Sequence, residues 1–275
     1  MSKKIGVMMR AAIALAVLCP VALAQAGGNT AAILVVNVSG MSKPDERAYA
    51  KIVEAMNLFE KLHAMAPQAT LRFELLPAHA RVSMKDTELH IVGSERRVAV
   101  PLASDRTFTV PRLPYMLDER ALLTSNRRDD SFLWRSRIRT PGLPANTRRL
   151  GDLRLEWHVD YVGALGPQWL SPGTRIAMAM MDRPYEMRGL HHMFLADRPL
   201  FGVTLVAGAR RQVLATDMLY LSGLTKALPS PLLGLWKNRR FLMDRAFDLP
   251  LSDSSWPDDT LIVFDYMDDA QETMQ

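Results

Sequence analysis

The stretch that most constrains the fold is Leu153 to Tyr161, where Leu153, Leu155, Trp157, Val159 and Tyr161 alternate with Arg154, Glu156, His158 and Asp160. Side chains of a strand point to opposite faces in turn, so the alternation predicts a half-buried antiparallel strand, apolar face inward and charged face to water. On that reading Glu156, His158 and Asp160 are solvated, and Trp157 belongs to the core.

Residues 1–26 have the pattern of an export leader. Lys3, Lys4 and Arg10 precede an apolar run from Ala11 to Leu23, and Ala24-Gln25-Ala26 offers a small-residue cleavage site. The expectation is cleavage after Ala26 and a periplasmic protein with no membrane-spanning segment. The one cysteine, Cys19, lies inside that leader. Beyond it the chain has neither a disulfide framework nor a thiol nucleophile. The leader carries three of the 34 lysines and arginines and none of the 29 acids, which leaves 31 against 29 and a net charge of +2. Such a balance argues against nucleic acid as a partner, which would call for a concentrated basic face. The doublets Arg127-Arg128, Arg148-Arg149, Arg210-Arg211 and Arg239-Arg240 are scattered and read as solvated strand ends or turns.

Three regions follow the leader. In the first, residues 27–70, Ala31 to Val38 reads as a short strand. Ser42-Lys43-Pro44-Asp45-Glu46 reads as a helix start, and Ala48, Ile52, Ala55, Met56, Phe59 and Leu62 form one apolar stripe running to His63 or Met65 before Pro67. The second, residues 71–165, is a series of short strands: Leu71 to Leu75, Arg81 to Met84, Glu88 to Val92, Arg97 to Pro101, Thr107 to Val110 and Phe132 to Ile138, ending with the Leu153 strand. Arg112 to Asp130 fits no element. In the third, residues 166–275, Leu200 to Val206 and Gln212 to Leu214 form a hairpin around Ala207-Gly208-Ala209, and Thr260 to Met267 is the last strand. Gly163 to Gly173 marks the boundary, and the two β-rich regions could also be one continuous domain. The fold class is mainly β: an antiparallel, β-sandwich-like architecture with one N-terminal amphipathic helix.

Within the second region Val98 to Pro111 reads Val-Ala-Val-Pro-Leu-Ala-Ser-Asp-Arg-Thr-Phe-Thr-Val-Pro. This strand, Asp turn and Phe-containing strand resembles the carboxypeptidase-regulatory-like, transthyretin-like modules, over about residues 71–111. Arg106 stands where the family has a turn glycine. The resemblance implies a non-catalytic β-sandwich.

Two patterns carry possible chemistry. Met178, Met180, Met181, Met187 and Met193 surround His191-His192, and thioethers with imidazole select copper. His191, His192, Met180 and Met193 are the candidate copper ligands, although adjacent histidines point to opposite faces of a strand. A hydrolase would recruit His191 or His192 as base, Asp197 or Asp182 to orient it, and Ser171 or Ser222 as nucleophile, at spacings that match no motif. The expectation drawn from these residues is an exported, non-catalytic protein with a binding or structural role toward a partner in the bacterial envelope. Copper binding and a His-centred hydrolase are the alternatives.

Overall fold

A computed structural model describes residues 43–165, 193–220, 222, 242–249 and 251–268. In chain order its elements are β1 (Pro44–Ala48), α1 (Tyr49–Leu62), β2 (Thr70–Pro77), β3 (Leu89–Val92), β4 (Arg97–Val100), β5 (Thr107–Phe108), α2 (Pro114–Asp118), β6 (Leu122–Arg128), β7 (Phe132–Arg139), β8 (Thr147–Arg149), α3 (Leu150–Val162), β9 (Met193–Leu195), β10 (Leu200–Ala207), β11 (Arg210–Val213), β12 (Ala246–Asp248) and β13 (Leu261–Tyr266). The chain is mainly β and sandwich-like in class, with antiparallel sheets and an N-terminal helix. Sheet orders are β1-β6-β3-β4, β5-β2-β7, β11-β10-β13-β8 and the pair β12-β9. β8 lies before residue 166 and β10 and β13 after it, yet the three share one sheet. Among the described residues no helix is long and apolar enough to cross a membrane.

The decisive departure from the sequence reading is that Leu153 to Tyr161 is not a strand. It belongs to the helix α3. Helix positions two apart lie about 200° around the axis, so a helix with two opposed apolar faces also alternates with period two. α3 is such a helix. Leu155 and Val159 pack into a core with α1, β2, β3 and β7 residues, whereas Leu150, Leu153 and Trp157 pack into a second core built from β10 and β13. Between these faces, Asp152, Glu156 and Asp160 recur every fourth residue and form a third, acidic face turned onto β7. The fourth face carries Arg154, whose Nη1 donates to Asp258 Oδ1 at 2.6 Å, and His158, buried with its ring edge against Trp157. Glu156 and His158 are therefore interior groups rather than solvated ones.

Other departures are local. Pro44 to Ala48 pairs with β6 as a strand, so α1 begins at Tyr49, whose hydroxyl accepts from Leu113 N–H and donates to Pro111 O. The stripe is otherwise as expected: Ile52 and Ala55 are buried, and Met56, Phe59 and Leu62 pack on the same core. Arg81 to Met84 forms no strand. The unplaced Arg112 to Asp130 holds α2 and β6, the latter central to the first sheet. Arg106 has φ +68°, in the left-handed region that glycine reaches most easily. Ala31 to Val38 lies outside the described residues.

α3 starts against the 3-10 turn His63–Met65, and Gly151 is what lets it approach. A methyl group there would sit 2.1 Å from the Met65 carbonyl oxygen, while the Gly151 N–H already donates to Asp258 O at 2.8 Å. Backbone on both sides cannot yield cheaply. Gly151→Ala is expected to cost about 1–3 kcal/mol, measured by urea unfolding; an unchanged midpoint would show that the helix start has room to shift.

Candidate functional site: an arginine-lined cleft

β7 is an edge strand, paired with β2 on one side only. Its outward N–H groups would normally face water or another chain. Here they meet carboxylates. Thr140 N–H donates to Asp152 Oδ2 at 2.9 Å, Ile138 N–H to Glu156 Oε1 at 2.7 Å and Ser136 N–H to Asp160 Oδ1 at 2.5 Å. Further along, Phe132 N–H and Trp134 Nε1 both donate to Asp45, at 2.8 Å each. Burial pushes the Asp45 carboxyl upward and carries that of Asp160 to about 7, against the lowering effect of its bond from Ser136.

The same strand carries Arg135, Arg137 and Arg139 on its other face. Opposite Arg135 across the β2 pairing lies the buried Glu74, whose Oε2 accepts from Arg135 Nε at 2.9 Å and Nη2 at 2.7 Å, with Arg137 and Arg106 each 3.7 Å from Oε1. Arg135 also donates to Leu195 O at 2.7 Å, which ties β7 to β9. Burial opposes the Arg135 charge, but Glu74, Glu156 and Asp197 outweigh it and hold this guanidinium above its ordinary range.

At the end of β7 these charges open onto a cleft of about 150 Å³ lined by Arg139, Asn146, Thr147, Arg148, Asp197, Arg198, Phe264 and Tyr266. Asn146 enters β8 with φ +56°, a conformation asparagine tolerates, and its side-chain oxygen accepts from Arg198 Nη2 at 3.0 Å. Arg198 lies over the Tyr266 ring at 4.1 Å and pairs with Asp268 at 2.9 Å. Arg139 Nη2 reaches both oxygens of Asp197, at 3.0 and 3.2 Å. Arg148 is buried, donating through Nη2 to Ile138 O at 3.0 Å and pairing with Glu156 at 2.7 Å. Burial and the neighbouring Arg148 pull the Arg139 guanidinium down to about 10, so it is still charged at neutral pH. For Asp197 burial works upward, but Arg139, Arg135, Arg137 and Arg148 together hold it at about 2.

Arg139 Nη1 and Arg148 Nε are buried without a hydrogen bond among the described residues, and Nη1 of Arg139 lies 3.5 Å from Glu156 Oε1, so both guanidinium groups are anchored from behind by the acid on α3. A cleft lined by guanidinium groups is suited to an acceptor-rich, negatively charged guest, since Arg binds oxyanions through charge-assisted hydrogen bonds. Three guanidinium groups and one carboxylate line the cleft, with Glu156 behind Arg148 and Asp268 beside Arg198 as the acids next to it.

Of the residues singled out from sequence, Asp197 is at this site, bonded to arginines rather than to a histidine. His191, His192, Met180, Ser171 and Asp182 lie outside the described residues. Met193 opens β9, opposite Asp248. Among the described residues no group of three or more His, Cys, Asp or Glu side chains is placed to hold a metal ion. Trp134 and Trp256 are buried in the core. The arginines were missed because the 148–149 doublet reads as a solvated strand end; Arg135, Arg137 and Arg139, alternating on one strand face, were the available signal. Comparison with protein-family models, with curated proteins and with solved structures gives no match.

Proposed function

We propose that this chain is an exported, non-catalytic binding protein of the bacterial envelope that holds a small anion in the Arg139–Arg148–Arg198 cleft. The observation carrying this reading is the lining of the cleft, where the guanidinium groups of Arg139, Arg148 and Arg198 meet a single carboxylate, Asp197. The leader pattern of residues 1–26 supports export. A binding role is favoured over catalysis by the state of the cleft's other groups. Asp197 is engaged by Arg139, the Thr147 hydroxyl donates to Ala145 O at 3.1 Å, and burial followed by the Asp197 charge pushes the Tyr266 phenol above its ordinary range. None is set up as a nucleophile with a base beside it. The volume is below the roughly 300 Å³ at which drug-sized pockets begin, which suits a compact group.

The test is calorimetric titration of the purified chain with simple anions, comparing wild type with Arg198→Ala. Arg198 is part-exposed, so its loss should spare the fold. One charge-assisted hydrogen bond contributes about 1.5–3 kcal/mol, so affinity should fall roughly 10- to 100-fold. Absence of heat with every anion, at protein concentrations that would register millimolar binding, would sink the proposal.

A further inference from the structure

Resting on the anion-cleft reading, we infer that the cleft selects an oxyanion that still carries a proton, inorganic phosphate being the simplest, over an aprotic one such as sulfate, with Asp197 as the residue that tells them apart. Asp197 is the one carboxylate among the lining residues, and its side chain is 41% exposed, so a guest can reach it. An ionised carboxylate only accepts hydrogen bonds and has about four lone-pair positions. Among the described residues its side-chain hydrogen bonds come from arginines: two on Oδ1, from Arg139 and Arg135, and one on Oδ2, from Arg139. Oδ2 has room for one more donor. The cleft lining therefore combines guanidinium groups with one carboxylate acceptor.

A guest that fits must accept at most of its atoms and donate at one. Phosphate does both, because a P–OH group survives across the neutral range. Sulfate has no proton there and would set a lone pair against the Asp197 oxygen. With three guanidinium groups and one carboxylate in the lining, the cleft offers more donors than acceptors, which favours a guest with mostly acceptor atoms over a zwitterion such as an amino acid. The field that keeps Asp197 ionised comes from Arg139, Arg135, Arg137 and Arg148, so the acceptor persists throughout the range in which an envelope protein works. Sites built around a buried or half-buried hydrogen bond reject guests that cannot make it, and a part-open cleft should do so by roughly 10- to 100-fold.

The experiment is titration calorimetry of the full chain with inorganic phosphate, sulfate, methyl phosphate, acetate and glycine at about pH 5.5 and about pH 8.5, on either side of the second ionisation of a phosphate monoester near 6. Phosphate should bind at least about 10-fold tighter than sulfate at both pH values. Methyl phosphate should match phosphate at the lower pH, where it keeps a proton, and fall to the sulfate level at the higher. Asp197→Asn should bring sulfate to within about threefold of phosphate, since an amide can donate. Should that variant fail to fold by circular dichroism, the wild-type arms decide alone. Equal affinity for phosphate and sulfate, methyl phosphate indifferent to pH, or tighter binding of acetate or glycine would each overturn the selection while leaving an occupied cleft. Silence with every compound would instead remove the cleft reading on which the selection rests.

Discussion

Glu156→Ala is expected to destabilise the protein by about 3–5 kcal/mol. Glu156 Oε1 accepts from Ile138 N–H at 2.7 Å, pairs with Arg148 Nη2 at 2.7 Å and lies 3.5 Å from Arg139 Nη1. Truncation leaves the Arg148 guanidinium, 6% exposed, with no anionic partner within salt-bridge distance among the described residues, and leaves an edge N–H orphaned. Removing one member of a buried pair costs about 3–5 kcal/mol because the surviving charge remains desolvated. Against a typical domain stability of roughly 5–15 kcal/mol this is a large share. Glu156→Gln keeps the acceptor for Ile138 but not the charge, and should fall between alanine and wild type. The double variant Glu156→Leu with Arg148→Met should recover at least half of the loss, because an apolar pair need not be solvated. Urea midpoints of the four proteins give the answer. A Glu156→Ala protein within about 1 kcal/mol of wild type would mean that water reaches Arg148.

The second large effect is a pH dependence that runs against the usual one for carboxylates. Burial raises the Asp160 carboxyl from its ordinary 3.8 to about 7 in the fold. Below about pH 4 it is protonated in both folded and unfolded chains and contributes no difference. Between there and pH 7 the unfolded chain ionises first, so stability falls by about 1.4 kcal/mol per pH unit. Above pH 7 the penalty is complete, on the order of 4 kcal/mol. Asp45, also raised, acts in the same direction. Asp197, depressed to about 2, has the opposite sign: its stabilisation is present above its ordinary 3.8 and is lost only as the medium is acidified toward 2, a separate window. Asp160→Asn keeps an oxygen to accept from Ser136 and has no proton to lose. It should match wild type near pH 4.5 and exceed it by a few kcal/mol at pH 8, read from parallel urea titrations. Curves that stay parallel across this range would show that Asp160 is already ionised in the folded protein at pH 5.

Much of the sheet structure was legible because it obeys simple rules. β2, β3, β4, β7, the β10–β11 hairpin and β13 all sit on runs of alternating or β-branched residues bounded by turn chemistry. α3 was not legible, because periodicity identifies a helix by a single apolar stripe and this one has two, placed on opposite sides. Its acids then fell on what looked like a water face, and the prior that charged residues are exposed hid the interior partners of Glu156 and Asp152. β6 was lost for a related reason: Leu122 to Arg128 lies between β3 and β1, but its Thr124, Ser125, Asn126 and two arginines read as loop. The cleft draws on β7, β8, the turn after β9 and β13, and no local pattern announces residues brought together from positions 139 and 266.

The acidic face of α3 and the edge of β7 also act as a vernier. Four helix residues advance about 6.0 Å, two strand residues about 6.6–6.8 Å. Each rung from Asp152–Thr140 through Glu156–Ile138 to Asp160–Ser136 therefore drifts by roughly 0.6–0.8 Å, which carboxylate rotamers absorb for three rungs and would not for many more. The helix stops at Val162, and the next outward amide served, that of Phe132, is met by Asp45 from a different element. Two scales of unequal pitch coincide along one short stretch only, so the mismatch itself fixes how far along the strand the helix must come to rest.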